Sequence, residues 1–322
     1  MRTELPVLSE SLQTQLQRGS CPLPHWGVIQ AQGEEAAHFL HNQLSHDVLL
    51  LPVGQSRLAA FCSAKGRVQA SFVVIKTAPD TVLLVMPQDL LAQTLKRLSM
   101  FVMRTKVKLS DASSQFQLRG LIGASVPSEV RDATPWHTGA YEGALAVSLY
   151  PAKCNDQAIS RALWLAPVDH TLPAEPEAAP EVWPWLEVLS GVTLISQAVF
   201  EAFVPQMLNY ESVDGVSFKK GCYPGQEVVA RSQFRGTLKR RTALVHSPVA
   251  LVAGQEVFSR ADPDQACATV VQAAVRPHGA GAGFDALVSG TLDSMPTGWQ
   301  LGAVDGAELV FLPLPYPLLA DI

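Results

Sequence analysis

A glycine-rich stretch with the sequence KKGCYPGQEVVAR, at positions 219–231, constrains this chain more than any other segment. Gly221 and Gly225 permit a positive φ angle and a close approach to a neighbouring element, and Pro224 stiffens the turn between them. The residues that follow predict a helix over 227–233. We therefore expect a tight loop that leads into a helix N-terminus, where free backbone amides face an anion or a carbonyl oxygen.

Cys222 lies inside this loop, between the lysines at 219 and 220 and the predicted helix. Nearby cations and a helix N-terminus both favour the thiolate, so a solvent-accessible Cys222 would be reactive. The alternative is a buried cysteine in a tight turn, because free cysteine is among the most buried residue types. Residue types alone leave both interpretations open.

The other cysteines are too scattered to indicate a shared site. They are Cys21, Cys62, Cys154 and Cys267. The total number is odd, and no C-x-x-C motif or paired spacing occurs. The sequence therefore predicts neither a disulfide framework nor a local zinc or iron–sulfur site.

The net charge argues against a protein that binds nucleic acid over its whole surface. The formal charge is -5 at pH 7, and the isoelectric point is near 5.9. One basic patch is opposed in its own stretch only by Glu227, and it comprises Lys219, Lys220, Arg231, Arg235, Lys239, Arg240 and Arg241. We interpret this patch as a solvated rim or a contact for a ligand carboxylate, and a weak tRNA contact is the less favoured alternative.

The sequence carries no sign of membrane insertion or export. No apolar run approaches the roughly 20 residues that a membrane span needs. Residues 1–20 contain Glu4 and Glu10 and no apolar core, which argues against a secretory signal and a mitochondrial presequence. We expect a cytoplasmic protein without membrane contact.

Strand and helix patterns mix irregularly before residue 240. Strands are predicted at 26–32, 56–62, 68–75, 81–86, 106–109, 116–122, 145–149 and 162–166, and helices at 33–44, 89–100 and 183–189. The turn at 63–66 joins two of these strands into a hairpin. This order is typical of an α+β fold and not of a doubly wound sheet.

The pattern changes beyond Arg241 to short β-rich runs separated by glycine, proline and aspartate. These runs are 242–246, 255–258, 268–275, 285–289 and 309–312. They predict a small barrel or sandwich, with a domain boundary near residue 240. A proline-, alanine- and glutamate-rich connector is expected at 167–184.

Several motifs resemble those of the YgfZ family, folate-binding proteins related to the T-protein (aminomethyltransferase) of the glycine cleavage system. The segment 216–231 is similar to the family signature K-G-C-Y-x-G-Q-E. Further similar positions are Gln43 and Asp47, the turn Ala64, Lys65 and Gly66, the segment with Phe203, Pro205, Gln206 and Asn209, the segment with Phe234, Arg235, Gly236, Lys239 and Arg240, and the LPLPY tail at 312–316. Because these positions touch both ends and the middle, the whole chain is identified as a member.

The resemblance implies a ring of three parts around a channel that takes tetrahydrofolate. Two interleaved α+β lobes would be followed by a C-terminal antiparallel β-barrel. The folate-binding region would span 1–240, with one lobe from 1–50 together with 115–240 and the other from 51–114. The barrel would span 241–322.

The resemblance also implies the site residues. Trp26 and Trp183 stand where the family places two tryptophans against the pterin, and Trp185 is near enough to Trp183 to exchange with it in this assignment. Cys222 and Lys220 would form the functional loop. The other expected cofactor-binding residues are Gln206, Tyr223, Gln226, Glu227 and Arg231. No metal site is expected.

One departure from the aminomethyltransferase relatives bears on chemistry. In those enzymes an aspartate follows the glycines of the hairpin turn and acts on the folate. Here residues 66–71 contain no acid. Proton transfer needs a titratable group within hydrogen-bond reach, so T-protein chemistry is not expected without a substitute.

Three functions compete on these grounds. We favour a folate-binding accessory protein for the synthesis or repair of iron–sulfur clusters in specific enzymes, including those that modify tRNA, with these client enzymes or assembly proteins as partners. The second function is a folate-dependent one-carbon transferase or demethylase, in which Glu227 or Cys222 replaces the lost aspartate. The third is a module that docks tRNA or a partner protein on residues 239–241.

Overall fold

The computed structural model describes residues 7–234 and 238–319. The strands are β1 (Arg18–Pro22), β2 (Trp26–Gln32), β3 (Gln55–Cys62), β4 (Val68–Ala78), β5 (Thr81–Pro87), β6 (Lys108–Asp111), β7 (Phe116–Gly123), β8 (Thr138–Tyr141), β9 (Ala144–Cys154), β10 (Gln157–Pro167), β11 (Arg240–Ser247), β12 (Glu256–Phe258), β13 (Ala268–Val275), β14 (Phe284–Thr291), β15 (Trp299–Leu301) and β16 (Glu308–Leu312). The helices are α1 (Glu10–Gln17), α2 (Ala36–His41), α3 (Leu91–Ser99), α4 (Ser128–Arg131), α5 (Val182–Leu189) and α6 (Gln226–Phe234). Within the described ranges, none of these helices is long and apolar enough to cross a membrane.

The strands form two open sheets and one closed barrel. The first sheet has the order β1-β7-β10-β9-β8, and the second has the order β3-β4-β5-β2-β6. Neighbouring strands in both sheets run antiparallel. The predicted fold class, α+β lobes followed by a barrel, is confirmed.

The position of β2 corrects the predicted grouping of segments. β2 lies in the second sheet between β5 and β6, with Trp26 opposite Pro87. The prediction that residues 1–50 join the lobe of residues 115–240 is therefore wrong for β2, although β1 does pair with β7 of the first sheet. Local periodicity marks a strand but does not name its partner, which can come from any distance along the chain. The remaining domain bounds stay a proposal.

The centre of the second sheet explains why its strands are recognisable in the sequence. Residues 68–75 of β4 are all buried, and β5 is buried from Val82 to Met86. The buried run of β5 is wholly apolar, and that of β4 is interrupted only by the buried polar residues Gln69 and Ser71. A largely apolar run of this length suits a strand whose two faces are both covered. Each fully buried valine, leucine or phenylalanine contributes about 1.5–3 kcal/mol, so these strands form a large part of the core.

The C-terminal strands close into a barrel. Its order is β11-β14-β13-β12-β15-β16, and β11 also pairs with β16. Trp299 is fully buried in its core and covers Gly290, where a Cβ atom would come within 2.3 Å of the indole ring. Because the sheet is closed and has no free edges, the predicted barrel or sandwich is a barrel.

Helix α5 contacts both the first sheet, at β9, and the barrel, at β13 and β14. Trp185 Nε1 donates to Asp285 Oδ2 at 2.7 Å, and Asp285 also accepts from His246 and Arg276. Burial alone would raise the pKa of the Asp285 carboxyl group. These hydrogen bonds outweigh the effect of burial, and the pKa is lowered. Gly191, with φ of 71°, ends the helix as predicted.

The β3–β4 turn touches the loop that precedes α6. Gly225 has φ of 80°, and a Cβ atom placed there would lie 2.4 Å from the Ser63 carbonyl oxygen and 2.6 Å from Gly66 Cα. The positive φ predicted for Gly225 is confirmed. Gly221 has no positive φ, and a Cβ atom there would meet nothing nearer than His41 Nε2 at 3.6 Å. Only the second glycine of the loop is thus required by contact and conformation.

Gly225→Ala should destabilise the protein, whereas Gly221→Ala in the same loop should be nearly neutral. The methyl group at Gly225 meets the 63–66 turn at a positive φ, and strain and crowding each cost about 1–3 kcal/mol. Thermal unfolding of the two variants checks this difference. Equal melting temperatures would contradict the close approach of loop and turn.

Candidate functional site

A buried carboxylate on α5 joins three aromatic side chains. Trp26 and Trp183 donate their indole N–H groups to Glu187 Oε1, at 3.0 and 2.8 Å. His25 Nε2 lies 3.5 Å from the same oxygen and 2.9 Å from the Trp26 indole nitrogen. The structure thus brings the two predicted tryptophans together, through Glu187, which was not among the predicted site residues.

Trp183 does not offer an open ring face. It is 1% exposed, and it covers Gly120, where a Cβ atom would come within 2.2 Å of the ring. The guanidinium of Arg161 lies 5.1 Å from the ring centroid. Trp183 therefore supports Glu187 through its N–H group and is not placed to stack on a ligand, whereas Trp26 lines a cavity.

A cleft of about 730 Å³ opens beside Glu187. Its walls come from the end of β5, from α5 and from barrel loops, and they include His25, Asp89, Leu194, Val252 and Gln272. A smaller inner cavity of about 20 Å³ shares Glu187 and Leu194 with the cleft and reaches Trp26 and Arg161. Ligand pockets typically measure about 300–1,000 Å³. The cleft, and not the inner cavity, has room for a ligand of the size of folate.

Arg161 is a buried cation at the inner cavity. It is 4% exposed, its Nε donates to the Tyr150 carbonyl at 3.2 Å, and its Nη1 has no partner within the described ranges. Burial lowers the pKa of Arg161 to about 10, and the charge of Glu187 opposes this shift. Buried polar atoms almost always have a partner, so this free donor marks a place for a ligand acceptor or a water molecule.

Lys220 fastens the loop that precedes α6, at 219–225, to the end of α2. Its Nζ donates to the carbonyl oxygens of His41 at 2.5 Å and Leu44 at 3.0 Å, and it lies 4.6 Å from the ring centroid of Tyr223. Burial lowers the pKa of Lys220 to about 8, and the charge of Asp47 opposes this shift. The ammonium group thus satisfies carbonyls that the end of α2 leaves free, in addition to lying near Cys222.

Cys222 is exposed, and the other four cysteines are buried. Burial raises the pKa of Cys21 and Cys154 to about 11 and that of Cys62 to about 12. The structure therefore decides between the two interpretations of Cys222. It is the thiol that a reagent or a partner can reach.

A histidine–aspartate pair lies beside the same loop, with His41 Nε2 3.6 Å from a Cβ atom placed at Gly221. His41 Nδ1 lies 3.1 Å from Asp47 Oδ1, which also accepts the Leu50 N–H at 2.8 Å. Burial and the charge of Lys220 lower the pKa of His41. Burial alone would raise the pKa of the Asp47 carboxyl group, but its hydrogen bonds and the nearby histidines outweigh this effect and lower the pKa. The lowered pKa of His41 favours a neutral imidazole, which then donates from Nδ1 to Asp47.

The remaining residues of the signature divide between the interior and the surface. Tyr223 is buried beneath Lys220, and burial raises its pKa. Gln226 Nε2 lies 3.5 Å from the Lys220 carbonyl oxygen. Glu227 and Arg231 pair with each other at 2.9 Å on the exposed side of α6. Glu227 is therefore engaged at the surface and lies outside the cleft.

Gln206 has a supporting position behind α6. It is fully buried, and its Nε2 donates to the Val229 carbonyl at 2.7 Å. Its Oε1 has no partner in the described part of the chain. Its contact with the helix backbone makes Gln206 a residue that positions α6.

The predicted basic patch does not form one surface. Its members that bond to groups of the protein itself are Lys220, Arg231, Arg240 and Arg241. Arg241 is buried against Glu211, so it is not available to a partner. Arg235 and Gly236 lie outside the described residues. Of the predicted patch, Lys219 and Lys239 remain as exposed cations that make no ion pair within the described ranges.

The predicted site residues fall into two separate groups. No residue that lines the cleft or the inner cavity comes from 219–231. Glu187 had one sequence signal, because it stands four residues after Trp183 on a predicted helix, the spacing at which side chains meet. Arg161 had none, since β10 delivers it from a different part of the chain.

Sequence comparison finds known proteins that are similar to this chain. The pattern of the GCVT N-terminal domain matches residues 4–137. A protein of Colwellia psychrerythraea named tRNA-modifying protein YgfZ is 30% identical over 259 residues, which cover 76% of this chain and 75% of that protein. A protein of the same name from Photorhabdus laumondii is 24% identical over 326 residues, 98% of this chain and 96% of that protein.

Structural comparison agrees on the fold. The crystal structure of the glycine cleavage system aminomethyltransferase T from Bartonella henselae superposes with a TM-score of 0.59 and 14% sequence identity. The match covers 96% of this chain and 88% of that one. At this identity the likeness shows the fold and no more. Taken with the extent of the Colwellia match, it leads to one conclusion: the chain belongs to the YgfZ family and has the fold of the glycine-cleavage aminomethyltransferases.

Proposed function

We propose that this protein is a folate-binding accessory factor that supports the synthesis or repair of iron–sulfur clusters in specific enzymes, including enzymes that modify tRNA. The name of its relatives supports the link to tRNA modification. The observation that carries the folate part is the cleft that ends at Glu187, with two indoles fixing its carboxylate. The iron–sulfur part rests on the family resemblance and on the exposed thiol of Cys222.

The cleft fits tetrahydrofolate in size, and the polar groups at its inner end, where it meets the smaller cavity at Glu187, fit the ring in chemistry. The pterin ring offers N–H donors that suit a fixed carboxylate acceptor such as Glu187, and carbonyl acceptors that suit a free donor such as Arg161 Nη1. Trp26 would supply apolar surface beside this polar pair. Tetrahydrofolate, when bound, supplies a carrier for one-carbon groups. The protein's own part is to orient the ring and to shield it from water.

One-carbon transfer of the T-protein type is the alternative function. It needs a titratable group at the folate, and neither residues 66–71 nor Glu227 provides one there. The cleft carboxylates Glu187 and Asp89 already accept hydrogen bonds from the protein. If the protein turns over a methylamine donor with tetrahydrofolate, its function is that of a transferase and not the accessory role.

Glu187→Gln should weaken the binding of tetrahydrofolate roughly tenfold to 100-fold, because a hydrogen bond to a charged group contributes about 1.5–3 kcal/mol. Isothermal calorimetry and quenching of tryptophan fluorescence measure the loss. Trp164→Phe is the matched control, since Trp164 is buried in a different cluster. Unchanged affinity in Glu187→Gln, with folate still bound, would place the ligand elsewhere.

Iodoacetamide should label the native protein at Cys222 first, since the other thiols are buried. Mass spectrometry of the digested protein identifies the labelled position. Cys222→Ser should abolish rapid labelling, and Cys267→Ser should leave it unchanged. Faster labelling of any of the four other cysteines would contradict the exposure described above.

Cys222→Ser should fail to restore iron–sulfur enzyme activity in a deletion strain, although it folds and binds folate like the parent. The serine keeps the size of the side chain and removes thiolate chemistry. The activities of tRNA-thiolating and other cluster enzymes are the measurement, and Cys267→Ser is the control. Full complementation by Cys222→Ser would remove the thiol from the proposed function.

A further inference from the structure

A second basic segment, at 96–108, forms a surface that the functions above do not use. Between Asp89 and Asp111 the chain contains no acidic residue, in a protein whose net charge is -5. The cations of this segment, here called the 96–108 surface, are Lys96, Arg97, Arg104, Lys106 and Lys108. Such a concentration of one sign departs from the balance of the chain and calls for a physical reason.

The fold gathers these cations at one edge of the second sheet. They lie on α3, on the loop after it and on β6, and β6 is the terminal strand of the sheet order. α3 packs directly against β6. Cations from a helix, a loop and a strand therefore share one edge of the second sheet.

Most of these cations are free. Lys96, Arg104 and Lys108 are exposed, and none of them makes an ion pair within residues 7–234 and 238–319. Lys106 pairs with Glu34, which is itself 64% exposed. Lys96 and Arg97 also lie in the last turn of α3, where a positive charge favours the helix dipole. The helix dipole accounts for Lys96 and Arg97, and the ion pair with Glu34 accounts for Lys106. Neither effect accounts for Arg104 and Lys108.

Apolar side chains stand exposed among the cations. Met100, Phe101 and Met103 are 61%, 43% and 89% exposed. An exposed aromatic ring in a segment of unpaired cations is the combination that single-stranded nucleic acid sites use, because bases stack on the ring and phosphates meet the charges. A membrane-surface helix would instead present a free apolar face, but Leu91 and Leu98 of α3 are buried in the protein.

We infer that the 96–108 surface binds the phosphodiester backbone of RNA, with Phe101 available to stack on an unpaired base. This contact goes beyond the proposed function, which reaches tRNA only through client enzymes. It needs neither folate nor Cys222. If the 96–108 surface does not bind RNA, the proposed accessory role is unaffected. If the accessory role is wrong, the inference about RNA binding is unaffected.

The test measures the anisotropy of a fluorescent tRNA transcript with the full-length protein. The parent should bind, and for three phosphate contacts its affinity should fall roughly 20- to 40-fold between about 50 and 200 mM salt. The triple variant Lys96→Glu, Arg104→Glu, Lys108→Glu should lose most of this binding and flatten the salt dependence. The control Lys153→Glu, Lys239→Glu, Arg260→Glu changes the net charge by the same amount and should bind like the parent.

Substitution of Phe101 separates base stacking from apolar contact. Phe101→Leu should weaken binding of a single-stranded oligonucleotide roughly tenfold, and Phe101→Tyr should not, because only the tyrosine keeps a flat ring. Unchanged melting temperatures would show that these surface variants fold. Equal losses in both triple variants, or no RNA binding at all, would overturn the inference. Binding of anionic phosphatidylglycerol vesicles in place of RNA would overturn it in favour of a lipid surface.

Discussion

The carboxylate of Glu187 is the contact on which the centre of this structure depends. It accepts the indole N–H groups of Trp26, from β2 of the second sheet, and of Trp183, from α5. Two positions before Glu187, Trp185 ties the same helix to Asp285 of the barrel. A hydrogen bond to a charged group contributes about 1.5–3 kcal/mol, and an unpaired buried charge costs more. α5 therefore holds the sheets and the barrel together and at the same time forms a wall of the cleft.

This centre contains more buried charge than stability alone would favour. Arg161 is buried, and its Nη1 has no partner among the residues that the structure describes; it lines an inner cavity together with Glu187. Apolar residues of similar volume often stabilise a core as well as or better than buried ions do. We interpret the retained charges as groups for recognition, since a fixed acceptor and a free donor at the end of a cleft discriminate among ligands by their hydrogen-bonding edges.

Charge along the chain proved a poor guide to charge on the surface. The 219–241 run is the more conspicuous in the sequence, yet Lys220 turns inward to two carbonyl groups and Arg241 is buried against Glu211. The 96–108 run is spread over a helix, a loop and a strand, and the packing of α3 on β6 gathers it on one edge. Long side chains bury or expose their charge according to tertiary neighbours, which composition does not specify.

Local patterns in the sequence determined the β3–β4 hairpin, the strand β2, the helices α5 and α6 and the positive φ of Gly225, because strand period, helix period and glycine chemistry act over a few residues. The motifs at both ends and in the middle also indicated the family. Only the tertiary structure decided that β2 joins the second sheet, that Cys222 is exposed and that the ring of Trp183 is covered by Gly120 and Arg161. It also decided that Glu187 unites the two predicted tryptophans. Each of these outcomes depends on contacts between residues far apart in the chain, and the local pattern of either partner carries no record of the other.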